Sequence, residues 1–139
     1  AALLAGMAFS NAGVAVVHAL EYPLGAAVHC SHGGGNGMLL PYVMRFNLPA
    51  RQKAFGRIAE LLGEETSGMD ALAAAERAIL AVESLRQRIG IPTSISQLGG
   101  REDQLAGFAE KAYAVKRLMH VNPRPVTLVD LETILHEAF

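Results

Sequence analysis

Between His18 and Gly37 the chain places three of its five histidines, its single cysteine and five of its fourteen glycines. His18 and His32 stand on either side of Pro23 and Gly25, a pair that can reverse the chain and bring both imidazoles to one point. Neutral imidazole is the commonest side-chain ligand for first-row divalent metals. A stable catalytic metal wants at least three protein ligands, so two histidines leave two readings open: part of a metal site, or two buried, hydrogen-bonded rings. If they share one ion, their ring nitrogens should lie on the order of 3–4 Å apart. The same stretch offers a second chemistry. His32-Gly33-Gly34-Gly35 matches an oxyanion-hole motif of some esterases, in which backbone N–H groups face a developing oxyanion. Cys30 and Ser31 sit between His29 and His32, but no G-x-S-x-G elbow accompanies them.

The other candidates read as structure. His120 falls near a helix end and His136 in the last helix, while Met7, Met38, Met44, Met69 and Met119 read as core. Glu64-Glu65 reads as a solvated turn and Arg86-Gln87-Arg88 as a solvated face. Arg124, fixed between two prolines, could hold a carboxylate but reads first as structural.

The pattern that must position these residues is helical almost throughout. A first helix is expected over 2–19, nearly all apolar and therefore buried, and broken by Pro23 and Gly25. A loop follows from Glu21 to His32. A glycine-rich helix then runs over 33–46, with Pro41 expected to kink or end it. Residues 51–62 form an amphipathic helix with Phe55, Ile58, Ala59 and Leu62 on one face. Residues 69–89 form the longest one, with Met69, Leu72, Ile79, Val82, Leu85 and Ile89 in its stripe. A Ser/Gly loop spans 93–100, and another helix spans 102–119. Thr127 caps the last helix, with Asp130 three residues on. No segment alternates as a strand does. The expectation is all-α, a single helical-bundle domain of about six helices.

Composition narrows the function classes. The chain has 139 residues, 51% apolar and 18% charged, with net charge −1. That balance gives no electrostatic footprint for nucleic acid or an acidic membrane. One cysteine allows no internal disulfide, and a cytoplasmic location is the default expectation. The apolar start is marginal for a membrane span and lacks a basic signal-peptide region. It also lacks an initiator Met, which suggests a piece of a longer protein.

The stretch GMAFSNAGVAVVHALEYPLGAAVHCSHGGGNGMLLPYVMRFN resembles the signature region of the iron-containing (group III) alcohol dehydrogenases. The matching positions are Phe9, Asn11, Ala12, His18, Pro23, Leu24, Gly25, His32, Gly33, Leu39, Leu40, Pro41 and Asn47. NPRPVTLVDLETILHEA looks like that family's C-terminal end, so the likeness covers essentially the whole chain. It implies the C-terminal all-helical, metal-binding domain over 1–139, a dehydroquinate-synthase-like α-domain. An N-terminal dinucleotide-binding domain would precede it in the full enzyme. The resemblance further implies a divalent iron, in some members zinc, held by an Asp and three His. Two of those fall on His18 and His32, and the other two come earlier in a full-length protein. NAD(P) would be the hydride acceptor and a small alcohol or aldehyde the substrate.

Two positions depart from the family pattern. Tyr22 stands where many members have a second His, so a phenol would take the hydrogen-bonding part in catalysis. Gly34-Gly35-Asn36-Gly37 replaces x-Ala-Asn-Ala and is expected to loosen the start of the following helix. Alone, the chain should not transfer hydride. A face carrying Val14, Val17, Leu20, Tyr22 and Val28 would lack its partner domain and is expected to drive self-association into a homo-oligomer, most simply a two-fold dimer. The different-class alternative is a stand-alone helical protein, either an interaction module or a hydrolase using the HGGG loop.

Overall fold

Gly13, with φ at +78°, ends the first helix long before any proline does. The computed structural model describes residues 2–139. Its elements are α1 (Ala2–Ala12), α2 (Val16–Val28), α3 (His32–Leu61), α4 (Ala71–Arg88), α5 (Leu105–Ala114), α6 (Lys116–His120) and α7 (Leu128–Glu137), with 3-10 turns at Ser96–Leu98 and Glu102–Gln104. No strand occurs among the described residues, as an all-α chain requires.

The expected single helix over 2–19 is two helices meeting at 109°. Nor is its first part buried. No residue of α1 is buried, and Leu3, Leu4, Met7 and Phe9 are exposed, so Met7 is not core. Among the described residues no single helix is long and apolar enough to cross a membrane, although α1 and α2 pass that test together as a bent pair.

The expected Glu21–His32 loop is mostly helix. Pro23 lies inside α2. A proline there removes one helical hydrogen bond and costs about 3 kcal/mol. The packing of Leu20 and Leu24, both fully buried one turn apart, outweighs that cost, since tertiary burial supplies most helical stability in proteins. α2 packs against α3, α5 and α6. Around it lies the main core, which includes Leu20, Leu24, Met38, Leu39, Leu105 and Leu131. A smaller core of Met44, Leu48, Ala59, Ala75, Ala78 and Ile79 joins α3 to α4.

α3 runs through Pro41, which is buried, and departs from helical geometry only at Arg51 (φ −142°, ψ 31°), two residues after Pro49. The stripe of α4 is shifted from the expected one. Ile79 and Val82 pack inward, but Leu72, Leu85 and Ile89 are exposed while Arg86 is buried. Arg86 donates to the Met38 carbonyl at 2.9 Å and lies over the Tyr42 ring, so it clamps α4 to α3 and is no solvated face. The helix expected over 102–119 breaks at Val115 (ψ 67°). Of the face expected to lie bare, Leu20 is fully buried and Val14, Val17 and Val28 pack half-buried against the core, while Tyr22 is exposed.

α7 starts as its sequence indicates. The Thr127 hydroxyl accepts from the Asp130 N–H and donates to Asp130 Oδ2 at 2.7 Å, while the Thr127 N–H donates to the same carboxylate at 2.8 Å. Thr127→Ala is expected to lower stability by about 1 kcal/mol in urea denaturation. The Thr127 hydroxyl, followed by its backbone N–H, also holds the Asp130 carboxyl below its ordinary value. A carboxyl with a depressed folded pKa contributes stability that is complete above its unfolded value, roughly 3.9. That contribution is lost as pH falls through the folded value. The gap between wild type and Thr127→Ala should therefore narrow on acidification below about pH 4.

Candidate metal and substrate site

His18, Glu21, Tyr22 and Gly25 follow one another along α2 at helical intervals of three, four and seven residues, so they share one face. α2 ends at His29, whose φ of 55° is the only positive value at a non-glycine residue among the described ones. A left-handed residue costs roughly 1–2 kcal/mol. Here it turns the chain within three residues, so that α3 starts directly beside the face just described. Ser31 caps α3, its hydroxyl accepting from the Gly34 N–H at 3.2 Å. His32 is thus the first residue of α3.

This turn brings the His18 and His32 rings together, with centroids 5.1 Å apart and planes tilted by 41°. The Tyr22 ring stacks with that of His32, centroids 6.1 Å apart at 17°, and Tyr22 is 45% exposed. Burial is the main cause of a lowered pKa at His18, with the His32 ring adding to it and Glu21 opposing it. The neutral ring, which carries a free lone pair, is favoured there.

Glu21 is the residue that sequence reasoning missed. The sequence places it at the start of a loop, yet it is 3% exposed and its Oε2 lies 2.5 Å from His32 Nδ1. One acidic residue in the middle of an otherwise apolar helix was the available signal, hidden by reading Pro23 as the helix end. Asn36 was also passed over. It donates Nδ2–H to the His32 carbonyl at 2.9 Å. The same nitrogen stands 3.3 Å from Nδ1 and 3.2 Å from Nε2. Nearly equal distances place it off both in-plane lone-pair directions, so it does not occupy either ring nitrogen.

The glycines do not loosen the helix start; they make room. A Cβ on Gly35 would lie 2.8 Å from Glu21 Cγ, one on Gly37 would lie 2.8 Å from Ile91 Cδ1, and one on Gly25 would collide with Glu21 Oε1. The HGGG run is the first turn of α3. Its Gly34 and Gly35 N–H groups are committed to the Ser31 hydroxyl and carbonyl. The Cys30 thiol is pushed up by burial and by Glu21, the opposite of what a nucleophile needs.

Of the remaining candidates, His120 and His136 are exposed, and Arg124 is structural. Arg124 donates to the Phe46 carbonyl at 2.9 Å and lies over the Phe46 ring. Next to it, Asn47 and Asn122 are both buried and bond reciprocally through their amides at 3.1 and 2.8 Å.

Comparison with known proteins gives a consistent result. Residues 1–139 match the C-terminal part of the Fe-containing alcohol dehydrogenase family. The chain is 42% identical, over 100% of its length, to 1,3-propanediol dehydrogenase of Klebsiella pneumoniae, of which it covers 36%. It is 38% identical over 97% of its length to NAD-dependent methanol dehydrogenase of Bacillus methanolicus, covering 35% of that protein. Among solved structures, a 1,3-propanediol oxidoreductase superposes with a TM-score of 0.94 at 42% identity, over 99% of this chain and 36% of that one. An alcohol dehydrogenase from Oenococcus oeni gives 0.93 at 38% identity, over 98% and 35%. The chain therefore spans about a third of the length of the relatives it matches.

Proposed function

Because the chain belongs to the Fe-containing alcohol dehydrogenase family, as its C-terminal part, we propose that it is the metal-holding half of an NAD(P)-dependent dehydrogenase interconverting small alcohols with aldehydes or ketones. The observation that carries this reading is that His18 and His32, from two helices, lie side by side with ring centroids 5.1 Å apart. The donor set fits a divalent iron or zinc as a partial site. Two imidazoles are present and burial favours the neutral form of His18, while no group of three or more His, Cys, Asp or Glu side chains placed to hold an ion occurs among the described residues. The remaining ligands would come from elsewhere in the complete protein. A bound metal supplies Lewis acidity toward the substrate oxygen, and a nicotinamide takes the hydride.

The chain's own residues then have defined parts. His18 and His32 hold the ion. Tyr22, half exposed beside His32, offers its phenol as a hydrogen-bond partner for the substrate hydroxyl. The names of the relatives, methanol, 1,3-propanediol and long-chain-alcohol dehydrogenases, support aliphatic alcohols as the substrate class.

The test is metal content and turnover of the protein encoded by the complete reading frame. Wild type should purify with or take up iron or zinc and oxidise aliphatic alcohols with NAD or NADP, and His32→Ala should lose both metal and turnover. The 139-residue chain by itself should be inactive. Metal retained at full stoichiometry in both His18→Ala and His32→Ala would overturn the assignment.

A further inference from the structure

We propose that Glu21 is the positioning residue of His32, its buried carboxylate taking the Nδ1–H so that Nε2 is the nitrogen left free to bind. The inference rests on the metal-site reading above only for its purpose; its geometry stands apart. Glu21 Oε2 is 2.5 Å from His32 Nδ1. The Glu21 side chain is 4% exposed and that of His32 is 58% exposed, so the anchor is fixed and the ring it holds is not.

An ionised carboxylate only accepts hydrogen bonds. Nδ1 must therefore carry the proton, and a neutral ring then has its lone pair on Nε2. Carboxylates hydrogen-bonded behind a histidine serve this purpose in many metal sites, fixing tautomer and orientation, and losing one typically costs about 10–100-fold in affinity.

The surroundings are cut to fit this carboxylate. Burying a carboxylate without partners is costly, and helix interiors disfavour glycine by about 1 kcal/mol. Yet two helical glycines, Gly25 and Gly35, stand where any Cβ would meet the Glu21 side chain, at 2.8 Å from Cγ and 3.1 Å from Oε1 in the case of Gly35. Glycine, carboxylate and imidazole form one unit across the junction of α2 and α3.

Nitrogen-15 NMR of the histidine rings in the metal-free 139-residue chain at mildly alkaline pH tests this. His32 should be the Nδ1–H tautomer. Glu21→Gln, which keeps an acceptor oxygen, should preserve it. Glu21→Ala should return His32 to the Nε2–H form that an exposed imidazole prefers in water. Gly35→Ala should reproduce the Glu21→Ala tautomer with the carboxylate still present, and should have no further effect in a Glu21→Ala background. Zinc titrated into the same samples should bind about 10–100-fold more weakly to Glu21→Ala than to wild type. A wild-type His32 in the Nε2–H form, or an Nδ1–H form that survives Glu21→Ala, overturns the proposal. In the protein encoded by the complete reading frame, His18 and His32 signals that ignore zinc overturn the metal reading instead, and the tautomer still decides the role of Glu21.

Discussion

Asn122→Ala should lower the unfolding free energy by roughly 3 kcal/mol, because it strands both polar ends of a buried Asn47 amide. Asn47 and Asn122 exchange two hydrogen bonds between α3 and the segment before α7. Asn122 also donates to the Arg124 carbonyl at 2.8 Å, which ties that segment into shape as Arg124 reaches back to Phe46. Removing one partner exposes the full desolvation cost of the other, whereas removing both relieves part of it. The Asn47→Ala/Asn122→Ala double variant should therefore be more stable than the sum of the single losses predicts, by about 1 kcal/mol or more. Urea denaturation of the four proteins measures this. Strict additivity would show that the two amides do not depend on each other.

Leu20→Ala should cost about 2–5 kcal/mol, the usual range for emptying a fully buried leucine site. Leu20 is fully buried and belongs to the main core around α2, so the cavity opens inside that core. Met7→Ala is the contrast. Met7 is 57% exposed, and its loss should fall within about 0.5 kcal/mol of zero. Calorimetric unfolding of both variants checks the pair of values, and a large loss at Met7 would place α1 in the core after all.

The sequence reading and the structure part company at identifiable residues. α4 and α7 were legible because their signals are local. Thr127 forms its capping box with Asp130, and the long amphipathic run of α4 closes at Gly90 in a left-handed turn. The stretch over 2–32 was misread because its punctuation is decided by tertiary contacts. A lone glycine among alanines and valines gives no warning of a 109° elbow. Pro23, a strong local breaker, is overruled by the buried leucines around it. His18 and His32 stand out in the sequence by their spacing and through the family resemblance, and the fold brings their rings to 5.1 Å between centroids. Glu21 does not stand out, since its place on the His18 face appears only once 16–28 is taken as one helix. Arg86 was misread for a related reason: a charged side chain at a core position looks like a solvated face until its backbone acceptor, the Met38 carbonyl on another helix, is known.

The recess at Gly35 also makes positions 21 and 35 interdependent under mutation. A glycine at 35 with a small residue at 21 leaves only a void and a modest helix penalty. A glutamate at 21 facing a β-carbon at 35 would meet it near 2.8 Å from Cγ and must shift away from His32. The contact between Glu21 and His32 therefore requires a glycine at 35, whichever residue came first. Once Glu21 is in place, Gly35 can no longer drift to alanine, although alanine is the better helix former, without the site losing its anchor.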